Sequence, residues 1–169
     1  MSTFAPKNAV SWARQPLGNL HKLRGLAGAY FAHPRMELVP SMTRFGRLEH
    51  RSGPLALLLT VAFHNEGEEQ ILLRSLNIKY SGSWYHPIHF PGDQIHLLYH
   101  QGEHHIELPR TRSIIAAPYI PATAVAERFA LFRLPEPWER WPTRLHVTAR
   151  ATFVHRRSRS LVVTLTNPA

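Results

Sequence analysis

The sequence predicts an all-β protein, an antiparallel sandwich or barrel, and three observations carry that expectation. Residues 55–65 place Leu55, Leu57, Leu59, Val61 and Phe63 on one parity and Ala56, Thr60, Ala62 and His64 on the other. Side chains of an extended chain alternate between faces, so this is a strand with a core face and a lighter face. The same alternation returns at Leu145, Val147, Ala149, Ala151 and Phe153, opposed by Arg144, His146, Thr148, Arg150 and Thr152, and again at Leu161, Val163 and Leu165. Turn-forming clusters separate these stretches at short intervals with no helical pattern between them.

Residues 1–35 differ in kind and are expected to form an extension to a domain spanning 36–169. Leu20, Leu23, Ala27, Tyr30 and Phe31 recur at helical spacing, Asn19 is a suitable cap and His33-Pro34 a natural stop, which predicts a short helix over 20–31. Gly25 and Gly28 each weaken it by about 1 kcal/mol relative to Ala, so it needs something to lie against. Three surfaces qualify: its own sandwich, a partner protein, or a membrane on which a basic amphipathic segment rests as a peripheral contact.

From Met36 onward the pattern predicts strands at 36–40, 43–49, 55–65, 71–80, 94–100, 104–108, 112–117, 125–134, 144–155 and 160–166. Turn chemistry divides them at Ser52-Gly53-Pro54, Asn65-Glu66-Gly67, Ser81-Gly82, Pro91-Gly92-Asp93, Gln101-Gly102, Pro118 to Pro121 and Pro135-Glu136-Pro137. The last two strands, joined through Arg156-Arg157-Ser158-Arg159, form the most secure hairpin.

A chain of 169 residues with 44% hydrophobic content has room for one domain with a real core. The absence of cysteine removes disulfides, thiolate zinc sites and cysteine nucleophiles. No apolar run is long enough for a transmembrane helix, and Lys22 and Arg24 interrupt the one stretch that resembles a secretory signal. A cytoplasmic location is expected, with an organellar one as the alternative because residues 1–36 hold five basic side chains and no acid.

The formal charge of +9 is uneven. Residues 37–109 hold five basic and eight acidic side chains, whereas residues 110–169 hold ten Arg against three Glu. Such polarity favours an acidic partner, although seventeen Arg against three Lys is also what a GC-rich genome writes.

Met36 to Pro40 as a leading strand, Leu55 to Phe63 closing on Asn65-Glu66-Gly67, and the later strands Glu127 to Leu134 and Leu145 to Phe153 resemble the immunoglobulin-like sandwiches common in bacterial proteins. The resemblance covers 36–166. It implies an immunoglobulin-like β-sandwich, here preceded by the short N-terminal helix, and a binding or spacer role; lacking the paired cysteines, the chain gives Trp84 no assigned place in that core.

Histidine is concentrated between 86 and 105: His86, His89, His96, His100, His104 and His105. In a strand His96 and His100 share a face, and a hairpin through Gln101-Gly102 can bring His104 or His105 across from them as a three-imidazole site. Against a metal stand the lack of any HExxH spacing and the presence of a single aspartate, Asp93, in a turn. Solvent-facing strand histidines are the simpler reading. No Gly-x-Ser-x-Gly elbow, Walker loop or Gly-x-Gly-x-x-Gly signature occurs, so no catalytic residue and no cofactor is assigned.

The Arg-rich C-terminal region is the best candidate site. Arg144 and Arg150 share the outward parity of one strand, Arg156, Arg157 and Arg159 crowd the adjoining loop, and Trp138, Arg140 and Trp141 lie just upstream. Guanidinium groups pair with carboxylate or phosphate, and indoles anchor interfaces or stack on bases; the two Trp can equally plug one end of the sandwich. The expectation is a non-catalytic interaction or structural subunit binding an acidic protein partner through this basic surface. A nucleic-acid-binding accessory protein is the alternative, and a metal-dependent enzyme using the 86–105 histidines is the second.

Overall fold

The computed structural model describes residues 34–48, 54–89, 94–99, 102–135 and 142–166. The expected helix over 20–31 lies outside them. Eleven strands, β1 to β11, run through the described residues at Arg35–Leu38, Arg44–Leu48, Leu55–Asn65, Ile71–Tyr80, Ser83–Tyr85, Gln94–Tyr99, Gly102–Glu107, Tyr119–Ile120, Ala124–Leu134, Arg144–Phe153 and Arg159–Thr166. They form two antiparallel sheets.

The six-stranded sheet is organised on β3, which pairs along its whole length with β9 and on its other edge with β1 and then β2. β2 continues to β6, and β6 to β7. β1 and β2 form one interrupted line: six steps lead from Leu38 to Arg44 against three from Val61 to Leu58 on β3, so three residues are in excess. The excess is absorbed by a 3-10 turn at Pro40–Met42 and stapled by two threonines. The Thr43 hydroxyl accepts the Thr60 N–H at 3.1 Å and donates to the Val39 carbonyl at 2.9 Å, while the Thr60 hydroxyl donates to the Met42 carbonyl at 3.0 Å. This explains a buried Thr in the otherwise apolar run 55–63.

The five-stranded sheet runs β11, β10, β4, with β5 and β8 sharing the far edge of β4. The β4–β5 hairpin closes on Ser81 and Gly82, both at positive φ, as the two-residue turns that match strand twist require. Leu57, Leu59, Val61 and Phe63 of β3 meet Leu145, Val147, Ala149, Ala151 and Phe153 of β10 in one core between the sheets. Phe63 and Phe153 make an edge-to-face contact there with centroids 6.0 Å apart.

The expected core parity of β3 and β10 therefore holds, and His146 and Arg150 are exposed on the opposite parity of β10. Two expectations need correction. The lighter face of β3 is buried as well, because Ala56 and Leu58 join Leu97, Leu108, Phe129 and Leu131 in a second apolar cluster. The strand expected at 112–117 is instead a 3-10 turn at Arg110–Arg112 followed by a turn closed from Ala117 N–H to the Ser113 carbonyl at 2.8 Å. Flanking Pro109 and Pro118 break ladder pairing, so Ser113 keeps a single bridge to Phe129 and the strand moves on to Tyr119–Ile120.

The turn after β3 forms as its residues dictate. Asn65 is buried, accepts the Gly67 N–H at 3.1 Å through its side-chain oxygen, and donates to the carbonyls of Glu69 and Pro121 at 2.8 and 2.9 Å. Among the described residues no helix is long and apolar enough to cross a membrane.

Candidate partner-binding face

The two faces of the five-stranded sheet differ in kind. Inward positions are apolar; outward positions on β10 are Arg144, His146, Thr148, Arg150 and Thr152, and on β11 Ser160, Val162, Thr164 and Thr166. Ladder pairing adds Asn77 beside Arg150 and Lys79 beside Thr148 from β4, then Trp84 beside Lys79 from β5. One row thus crosses four strands as Val162, Thr148, Lys79 and Trp84. Not one Asp or Glu occurs in the five strands of this sheet, which carry Arg74, Lys79, Arg144, Arg150 and Arg159.

Large apolar groups are exposed on the same face: Trp84 at 44%, Tyr119 at 53% and Val162 at 62%. Tyr119 stands beside Leu72, an outward position of β4. Aromatic groups among cations and hydroxyls are the composition of an interface core and its polar surround.

The residues expected to form the basic patch are distributed as follows. Arg144 and Arg150 lie on the outward face but six residues apart, or about 20 Å along the strand, which exceeds the screening length of about 8 Å in physiological salt. Arg156 turns back, with its side chain 12% exposed and 3.7 Å from the Glu69 carboxylate. Arg157 is exposed in the loop, and Arg159 is exposed but paired with Ala151, on the inward parity. Trp138, Arg140 and Trp141 lie outside the described residues. On the outward face Lys79 stands near Arg150, one strand over and two residues along, about 8 Å away.

Lys79, Trp84 and Tyr119 were not among the expected site residues. Lys79 had a signal, since Leu76 and Ile78 alternate with Asn77 and Lys79. Trp84 and Tyr119 had none, because three- and two-residue strands are too short to show a period.

At the β4 edge the face deepens into an open groove of about 500 Å³, because the chain leaves β5 at His86 and Pro87 and returns to β8 through Ile114 to Pro118, and none of the described residues between them pairs with β4. Leu72, Ile115, Pro118 and Val154 supply its apolar surface. A polar chain marks its rim: His86 donates Nδ1–H to the Asn77 side-chain oxygen at 3.0 Å, and Asn77 donates to the Ser75 hydroxyl at 3.3 Å. The wall at 117–119 is pinned by Arg128, whose Nε donates to the Ala117 carbonyl at 2.6 Å and whose Nη2 donates to the Tyr119 carbonyl. Burial pulls the Arg128 guanidinium below its ordinary pKa, yet these carbonyls occupy it as a cation.

The β6–β7 ladder brings one of the expected histidine pairs into register. His96 stands opposite His105 in the β6–β7 ladder, His104 stands opposite Leu97, and His100 lies outside the described residues. Among the described residues no group of three or more His, Asp or Glu is placed to hold a metal ion.

Comparisons with protein-family models, with curated proteins and with solved structures find no match.

Proposed function

We propose that the protein is a non-catalytic binding subunit that takes an acidic partner protein on the open face of its five-stranded sheet. The observation that carries this reading is the charge segregation: five strands without a carboxylate, with Lys79, Arg144 and Arg150 on the outward face beside exposed Trp84 and Val162. Charge complementarity of this kind sets partner choice and association rate, and exposed aromatics supply the desolvated contact.

We further infer an immunoglobulin-like sandwich. The supporting pattern is the strand order: β3 pairs β9 in one sheet, and β11, β10, β4 and β5 follow one another in the second, as strands B, E and G, F, C, C′ do in that fold. The Phe63–Phe153 contact joins β3 and β10, the strands corresponding to those the disulfide joins in antibody domains. The β6–β7 hairpin is an addition to that plan.

The test is retention of the protein on a polyglutamate surface across a salt series, with the Lys79→Glu, Arg144→Glu, Arg150→Glu triple variant beside it. Salt-sensitive retention lost in the variant, at a melting temperature changed by less than about 2 °C, supports the reading. Undiminished retention of the variant overturns it. So does tighter binding of a labelled oligonucleotide than of polyglutamate, which moves the face to nucleic acid.

A further inference from the structure

We propose that the groove beside β4 receives an apolar side chain of the same acidic partner, so that the ligand is an extended peptide in which an aliphatic or aromatic residue is flanked by carboxylates. The proposal rests on the reading of the basic face given above and narrows it to a ligand class.

Three observations converge. First, the groove opens on the cationic face itself: its rim residue Asn77 is the ladder partner of Arg150, and its rim residue Ser75 that of Thr152. Carboxylates paired with Arg150 and with Arg74, which is exposed at a bulge in β4, would bracket whatever enters. Secondly, its volume of about 500 Å³ lies in the range of roughly 300–1,000 Å³ typical of ligand sites, whereas a neighbouring hollow between His89, Leu108 and Phe129, about 180 Å³, does not. Thirdly, Ile115 forms the wall between the two and is 46% exposed although its neighbour Ile114 is buried in the core. An exposed isoleucine beside Leu72, Pro118 and Val154 gives an apolar side chain a surface to displace water from, and the Ser75, Asn77 and His86 rim gives the peptide backbone hydrogen-bonding partners.

Charge alone favours hexaglutamate as much as any acidic peptide; the groove adds a preference that charge cannot. The test compares two fluorescein-labelled peptides of equal charge, hexaglutamate and Glu-Glu-Glu-Leu-Glu-Glu-Glu, by anisotropy at low salt against the native protein, Ile115→Ser and Arg150→Glu. Ile115→Ser removes an exposed apolar wall without adding charge. The expected result is that the leucine peptide binds about tenfold more tightly than hexaglutamate, that Ile115→Ser reduces this preference to about twofold while leaving hexaglutamate unchanged, and that Arg150→Glu weakens both. Tenfold corresponds to about 1.4 kcal/mol. Equal binding of the two peptides by the native protein overturns the groove assignment and leaves the basic face standing, as does a preference that survives Ile115→Ser. Failure of both peptides to bind, or hexaglutamate binding unaffected by Arg150→Glu, overturns both.

Discussion

The two sheets solve the same packing problem with opposite outer faces. In the six-stranded sheet every position of β3 except His64 is buried, and both faces of the strand contribute to an apolar cluster. In the five-stranded sheet β10 alternates strictly, with every second residue buried and the others open to solvent or half-open. All the strand carboxylates, Glu37, Glu103, Glu107 and Glu127, are in the first sheet. Some are paired there: Arg35 with Glu37 at 3.0 Å and Arg112 with Glu127 at 3.2 Å. The first sheet carries both signs of charge in its strands, whereas the second keeps a single sign. That difference supports the proposed binding face more firmly than any individual arginine does.

The comparison breaks first at buried positions of opposite parity. Leu57→Asp and Leu58→Asp, adjacent in β3, are both expected to abolish cooperative unfolding, since each buries an unpaired carboxylate costing more than about 4 kcal/mol. On β10 the adjacent pair must behave differently: Val147→Asp unfolds the protein and His146→Asp leaves it folded. Circular dichroism of the four variants through a urea titration reads this directly. A folded Leu58→Asp would mean that the second face of β3 is only loosely covered.

The next effect concerns the link between the sheets. Arg128 donates to the carbonyls of Ala117, Glu127 and Tyr119, holding the segment that crosses from β9's sheet to β8. Arg128→Met removes those donors and strands the carbonyls, for an expected loss of about 2–3 kcal/mol in the urea midpoint analysis. A loss below about 0.5 kcal/mol would show that water replaces the guanidinium freely.

What the sequence disclosed follows from which interactions are local. The parity of Leu57 to Phe63 and of Leu145 to Phe153 was legible because alternation is a property of consecutive residues, and the Asn65 turn because its side chain bonds two residues on. The burial of Leu58 was not legible, since its cover comes from Leu97, Leu108, Phe129 and Leu131, brought together by tertiary folding. Ser113 to Ala117 carries β-favouring isoleucines but is committed by Pro109 and Pro118 to a turn. The basic face was half legible: Arg144 and Arg150 follow from parity, while the departure of Arg156 toward Glu69 and the approach of Lys79 and Trp84 depend on strand pairing. The groove was not legible at all, because its walls come from four separated stretches.

A smaller effect belongs to the β4–β5 turn that presents Lys79 and Trp84. A Cβ at Gly82 would meet nothing within 4 Å, so Gly82→Ala tests the backbone alone at φ +85°. The expected cost is about 1 kcal/mol. Ser81, at φ 46°, tolerates the left-handed region less well than Asn does, so Ser81→Asn is expected to recover a few tenths of a kcal/mol, about 0.3. Thermal melts of both variants resolve the opposite signs.

The smallest effect on stability is the one that separates surface from scaffold most sharply. Lys79 and Arg150 stand about 8 Å apart with no carboxylate on their sheet, so at low salt they repel by a small amount that folding must overcome. Arg150→Glu converts the repulsion to attraction and is expected to raise stability by about 0.2–0.5 kcal/mol at low salt, with the gain fading as salt is added. Glu127→Lys, which breaks the pair with Arg112 on the other sheet, is expected to lower stability by a similar amount. If the basic face serves only folding, Arg150→Glu must cost stability as Glu127→Lys does. A gain in stability together with lost retention on polyglutamate would mark these cations as kept for a partner against the interest of the fold.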